Sequence, residues 1–198
     1  MPHECKVTGL RERKKAKTRG AIQAHALRLF REQGYDATTV EQIIEAAEVS
    51  ESTFYRYFPA KADLVLTDEY DPLLADALRA QPPELGTIPA LRAAVRSVFS
   101  GLTAAEEADQ RERLALMLSV PELRGAMLGQ FADGIRMLAE VVAERAGRAA
   151  ADPAVRALSG AVVGAMMTAM FDTADQPDVD IATLMDGALA HLEAGLAL

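Results

Sequence analysis

Wherever hydrophobic positions recur along this chain, they recur at helical spacing. Val40, Ile43, Ile44 and Ala47 fall at i, i+3, i+4 and i+7, one buried face of a short helix. Thr38 stands three residues before Glu41, the spacing of a capping box, which predicts that this helix begins there. After Ala47-Glu48-Val49 a second short pattern opens on Ser50, a good N-cap, and runs through SESTFYRYF to a stop at Pro59. Upstream, Ile22, Ala26, Leu29 and Phe30 mark the inward face of a helix over 11–33, which Gly34 ends and behind which Tyr35 packs back; residues 1–10 read as a disordered lead. Downstream, a fourth helix runs from Lys61 through Leu64, Val65 and Leu66 until Pro72 kinks or breaks it. Past the linker Gln81–Gly86, helices are expected over 88–101, 104–119, 121–148, 153–174 and 180–195, with Pro121, Asp152-Pro153 and Asp180 as starts. No run alternates long enough to be a convincing strand, and no repeat is visible. The expected class is all-α, with a three-helix N-terminal unit over 11–60 and a helical C-terminal domain over 61–198.

The helix opening at Ser50 is too short to stand alone and must lean on its neighbours. Its outward positions carry hydroxyls, an Arg and two Tyr, side chains that hydrogen-bond phosphates and base edges. Two such helices across a three-residue turn read as a helix-turn-helix whose second helix enters a DNA major groove. The order of capped helix, AxV turn, S-x-S-T-F-Y-x-Y-F, Pro, x, Lys is similar to the N-terminal domain of the TetR family of transcriptional regulators. The resemblance spans Leu10 to Leu66, and Thr53-Phe54-Tyr55 followed by Phe58 and Lys61 makes it specific. It implies that Glu51, Ser52, Thr53, Tyr55 and Arg56 face the groove, while Thr39, Tyr57 and Lys61 hold phosphates. The chemistry agrees in kind: Arg56 suits a two-pronged grip on guanine, and Glu51 can accept from cytosine N4–H or be a solvated surface carboxylate. Ser50 reads as a cap rather than a contact, Phe54 as core, and Tyr55 as half packing and half contact. Two positions depart from the family pattern: Glu48 stands in the turn where Gly is common, and Ala60 where a capping Ser, Thr or Asn is usual.

Charge sharpens the picture. The net charge of −8 suits a DNA binder poorly until it is divided. Residues 1–61 carry 11 Lys or Arg against 8 Asp or Glu, and residues 62–198 carry 10 against 21. All five lysines lie in the first segment, four of them (Lys6, Lys14, Lys15 and Lys17) ahead of the helix-turn-helix. The polyanion-binding surface is therefore expected at the N-terminus, with Lys15 and Lys17 among the phosphate contacts, or else the cluster is a solvated helix end. The lone Cys5 excludes an internal disulfide and fits a reducing compartment; with no signal-peptide core before residue 20, the expected location is the cytoplasm. The uncharged run from Ala157 to Phe171 is 15 residues, shorter than the roughly 20 of a membrane span, and reads as a buried helix with no membrane involved.

A helix apolar on every face must be covered on all sides. Either it is an ordinary core helix, or it lies between its own domain and a second subunit. In the second case Gly160 and Gly164 admit a close neighbour, and Leu184 and Ala188 on the last helix complete a four-helix interface between two copies. A homodimer also suits recognition, since paired heads about 34–36 Å apart read a palindromic operator. Flexible methionines suit an adaptable apolar cavity, which makes Met117, Met127 and Met167, with Phe99 and Phe131 as walls, candidates for a small lipophilic effector's pocket; core filler is the plainer reading. The Arg56–Leu74 stretch also resembles a TetR branch that includes regulators answering to acyl-CoA-like effectors, lipophilic drugs or dyes being equally allowed. The function expected is a ligand-responsive repressor; the alternative is a helical carrier without DNA binding, which leaves the reading head without purpose. No enzyme constellation emerges: His3, His25 and His191 are scattered, and His3-x-Cys5 is too sparse for a metal, so no cofactor or metal is expected.

Overall fold

The computed structural model describes residues 4–67, 70–176 and 178–196, with side chains from residue 14 onward except that of Ala174. Helices α1 (Glu4–Gln33), α2 (Val40–Ala46) and α3 (Glu51–Tyr57) form a head. Its core is Ile22, Ala26, Phe30, Ile43, Phe54 and Phe58, each at most 2 % exposed. The expected disordered lead is helical from Glu4, because the strong helix formers over 11–19 let α1 propagate backwards at one hydrogen bond per residue. Residues 1–3 lie outside the described residues.

Helix α2 starts one residue later than its spacing predicts. Thr39, not Thr38, is the N-cap: its hydroxyl accepts the Gln42 N–H at 3.3 Å, and the Gln42 side chain accepts the Thr39 N–H at 2.9 Å. Thr38 is buried, and its hydroxyl donates to the Gly34 carbonyl at 2.8 Å. Two threonines followed by Glu41-Gln42 permit either register, and the burial of Thr38 selects the second. Helix α3 begins as expected, Ser50 Oγ accepting the Thr53 N–H at 3.2 Å, and ends at Phe58 before Pro59.

Helix α4 (Asp63–Leu66) is a single turn, starting two residues after Lys61. Ala60 offers no side-chain cap, and the Asp63 carboxylate reaches back to accept the Ala60 N–H at 2.8 Å. Pro72 does not end it. The chain turns away at Thr67, and Pro72 sits in the first turn of α5 (Tyr70–Arg79), where its missing N–H needs no partner.

The body consists of α5, which the sequence pattern does not predict as a separate helix, and of α6 (Thr87–Phe99), α7 (Ala104–Ser119), α8 (Pro121–Ala146), α9 (Pro153–Asp175) and α10 (Ile181–Glu193), whose ends lie within two residues of expectation. Local chemistry sets most of these ends: a Thr103–Glu106 capping box on α7, Pro121 and left-handed Gly147 bounding α8, and Asp152 and Asp180 capping α9 and α10. The body core gathers Leu78, Val95, Val141, Val162 and Leu189 from five helices. The head rests on the α7–α8 corner, where fully buried Leu123 joins the head's own core with Leu116 and Met117 beside it.

Helix α9 lies against α8 and α10. By length and composition Pro153–Thr173 could cross a membrane, yet only 22 % of its most apolar window is buried. The complete cover expected for this helix is therefore not provided within one chain.

Candidate nucleic-acid interface and ligand cavity

Packing aims α3. Phe54 and Phe58, on one side and 6.1 Å apart between ring centres, anchor it to the head core. The turn before it closes through Val49 N–H donating to Ile44 O at 3.2 Å, and Glu48 takes the left-handed conformation (φ 52°) that the family's usual Gly adopts freely. The opposite side presents Glu51, Ser52 and Arg56, exposed, with Tyr55 45 % exposed and its ring set edge-on to Phe54 at 5.2 Å. Thr53 is half-buried, its hydroxyl accepting from Ser50 Oγ at 2.9 Å. The Arg56 guanidinium lies 5.1 Å from the ring centre of half-buried Tyr57, which holds its planar fork beside the helix. The five residues expected to read bases thus share one short helix, four of them on its open side.

The residues expected at phosphates divide. Lys15 and Lys17 are exposed on α1. Thr39 is exposed at the start of α2 and works as its cap; the Glu41 carboxyl is held below the usual range first by its own backbone N–H and then by the Thr39 hydroxyl. Lys61 is already engaged within the head. Its ammonium donates to the carbonyls of Tyr35 at 2.9 Å and Thr38 at 3.2 Å and lies 4.1 Å from the Tyr35 ring centre, leaving at most one N–H for a phosphate. Burial pushes the Tyr35 phenol up to about 12, so this ring stays neutral beneath the cation.

The single turn of α4 is clasped from two sides. From α1, the Gln23 amide donates to the carbonyls of Leu64 at 2.8 Å and Thr67 at 3.4 Å. From α7, the Arg113 guanidinium donates to Val65 O at 3.2 and 2.9 Å and to Thr67 O at 2.8 Å. A further tie joins head to body, Arg31 Nε donating to the Glu112 carboxylate at 2.9 and 3.0 Å. Sequence reasoning missed Gln23, Arg31 and Arg113. The available signal for Arg113 was its place at i+3 from Gln110 and i−4 from Met117, a polar intrusion on an otherwise inward face.

Behind this clasp, Leu66 of α4, helices α5 to α9 and Met185 of α10 line a partly open cavity of about 200 Å³. Phe99, Met117, Met127, Phe131 and Met167, the five residues expected at a pocket, all line it. All seven methionines among the described residues line it. Tyr70 packs on Phe99 with ring centres 5.0 Å apart, and Asp71, Gln110, Gln130 and Arg113 supply polar atoms to a mostly apolar surface.

On the far side, Gly160 and Gly164 of α9 are partly exposed, and a Cβ at either would meet nothing within 4 Å. Leu184 and Ala188 of α10 are half-buried against the body core. Among the described residues no cluster of His, Cys, Asp and Glu could hold a metal, and the His3-x-Cys5 pair lies outside the described side chains.

Known proteins align with both halves. Residues 22–67 match the family model for bacterial regulatory proteins, tetR family, and residues 85–197 that for the MftR C-terminal domain. The HTH-type transcriptional regulator TcmR of Streptomyces glaucescens is 35 % identical over 146 residues, which cover 70 % of this chain and 65 % of TcmR. The putative mycofactocin biosynthesis transcriptional regulator MftR of Mycobacterium tuberculosis is 24 % identical over 199 residues, covering 99 % of this chain and 98 % of that one. Among solved structures, Thermus thermophilus FadR, a TetR-family transcriptional repressor in complex with lauroyl-CoA, shares the fold with a TM-score of 0.53 at 23 % identity, over 91 % of this chain and 95 % of that chain.

Proposed function

Since the chain belongs to the TetR family of bacterial regulatory proteins, a family of transcription regulators rather than enzymes, we propose that it is a repressor working as a homodimer in the cytoplasm. Paired α3 helices hold a palindromic operator, and a small lipophilic effector in the body cavity releases it. The observation that carries this reading is the cavity itself: mostly apolar, lined by seven methionines, and sharing Arg113 with the clasp on α4. At about 200 Å³ it falls below the roughly 300–1,000 Å³ of drug-sized sites, and unbranched methionines are the side chains best able to swing aside for a longer guest. FadR, in complex with lauroyl-CoA, is a relative in fold.

On the head, we assign base contacts to Glu51, Ser52, Thr53, Tyr55 and Arg56, and phosphate contacts to Lys15, Lys17, Thr39 and Tyr57. Lys61 is assigned to bracing the head. The second subunit covers the apolar side of α9, so that α9 and α10 of two copies form a four-helix interface across Gly160, Gly164, Leu184 and Ala188. The lever for release is the end of α4 at Thr67, whose carbonyl is held from α1 and from α7. A ligand coupling of roughly 1–3 kcal/mol at that joint makes a useful switch. The test is a gel shift with duplexes flanking the protein's own gene, with and without medium-chain lipophilic compounds. Salt-sensitive retention of a palindromic duplex, relieved by at least one compound, is expected. Indifference to every duplex at low salt rejects the proposal.

A further inference from the structure

Arg113 is the one buried side chain of the described residues that carries a permanent charge: it is 6 % exposed and sits on the wall of the cavity. A guanidinium does not deprotonate in a protein, so its charge must be balanced where it lies. No carboxylate among the described residues lies within ion-pairing distance of it. Its Nε and Nη2 donate to the carbonyls of Val65 and Thr67, and Nη1 makes only a 3.5 Å contact with the Gln110 side chain. Carbonyl dipoles stabilise a buried cation less well than a counter-ion does. The remaining wall is largely methionine and other apolar side chains, which hold a chain but do not orient it; Gln110, Gln130 and the Asp71 carboxylate are its other polar groups, and of the charged pair only Arg113 attracts an anion.

From this we infer that the effector is an amphiphile with an anionic head, a carboxylate on an apolar chain, and that Arg113 receives the head. The inference rests on the cavity's being the effector site. A carboxylate suits the guanidinium's edge, where two parallel N–H donors meet its two oxygens. One edge offers Nη1, which is nearly unused, and Nη2, which holds Thr67 O. Filling that edge therefore weakens the grip on Thr67, the residue at which α4 gives way to α5. Thr67 O is then held only by the long bond from Gln23, while Arg113 keeps Val65 and Gln23 keeps Leu64. Ligand charge is thereby converted into freedom of the segment between cavity and reading head. A neutral ligand of the same length fills the cavity and leaves the Arg113–Thr67 contact intact.

The test compares decanoate with decan-1-ol, by calorimetry on the full-length protein and by release of bound duplex DNA. At pH 7.5, decanoate is expected to bind about tenfold more tightly, the equivalent of one additional charge-assisted contact. It alone should release DNA. The preference should fall to about twofold or less in Arg113→Gln and persist in part in Arg113→Lys. Should Arg113→Gln fail to fold, the wild-type pH profile decides: decanoate affinity must drop as its carboxyl protonates, at roughly pH 4–5, while decanol affinity stays level. Equal binding of the two probes overturns the role of Arg113 but leaves the cavity as effector site. Binding of neither overturns both.

Discussion

Lys61→Ala removes an ammonium that bonds to the Tyr35 and Thr38 carbonyls at 2.9 and 3.2 Å and covers the Tyr35 ring at 4.1 Å. A hydrogen bond from a charged group contributes about 1.5–3 kcal/mol when well made. A cation over an aromatic ring adds about 0.5–1 kcal/mol where solvent reaches it. Lys61 is half-buried, its second bond is long, and water can reach part of the gap left behind. The lower end of each range applies, so the head should lose about 2–3 kcal/mol. At about 2–4 °C per kcal/mol for a chain of this size, the melting temperature falls by about 5–10 °C. The logarithmic dependence of DNA affinity on salt should keep its slope, because no phosphate contact has gone. Lys17→Ala should do the reverse, leaving the melt unchanged and reducing the slope by about 0.9. Calorimetric melting and filter binding over 50–200 mM salt read both quantities. If Lys61→Ala melts as the wild type does but flattens the slope, Lys61 is a phosphate contact and its assignment as a brace is wrong.

Arg56→Ala should relax preference at one operator base pair, at a cost of about 1–3 kcal/mol for the preferred sequence; equal loss on all duplexes in a base-by-base binding series speaks against a base contact. Gly164→Leu adds a side chain whose Cβ meets nothing within 4 Å in one chain, so its main effect should appear in assembly, as a shift toward monomer in sedimentation without loss of helicity. Asp186 on α10 is held below the usual carboxylate range, first by Arg92 and then by Arg96, with Arg92 bonded to it at 2.9 and 2.8 Å. A depressed folded-state value means that this stabilisation is present above about pH 4, the unfolded value, and is lost as pH falls through the lower folded one. The difference in melting temperature between wild type and Asp186→Asn should therefore be largest near neutrality and shrink below pH 4. Glu48→Gly relieves a left-handed residue, worth about 1–2 kcal/mol, against about 0.4–1 kcal/mol of added unfolded-chain entropy, so denaturant unfolding should show a gain of about 0.5–1 kcal/mol.

What the chain declares by itself is what neighbours within one helical turn decide. Ser50, Thr103, Asp152 and Asp180 cap the helices that follow them, Pro121 and Pro153 stand at first turns, and Gly34 and Gly147 close helices at positive φ. Each acts through atoms three or four residues away, so spacing alone reveals it, and the reading helix with its outward Arg56 and Tyr55 is legible for the same reason. Even there, two adjacent threonines left a one-residue ambiguity, resolved only by the burial of Thr38 beneath Gln33 and Gly34. Tertiary structure decided everything that joins distant segments. Met117, Met137 and Met185 look alike as core filler until three helices set them around one space. Lys61 looks like a free cation until Tyr35, 26 residues earlier, offers a carbonyl and a ring. Arg113 looks like one more surface charge until Val65, 48 residues away, comes within 2.9 Å of it. No local pattern encodes such encounters, because they depend on how whole helices pack, and packing is a property of all the helices at once.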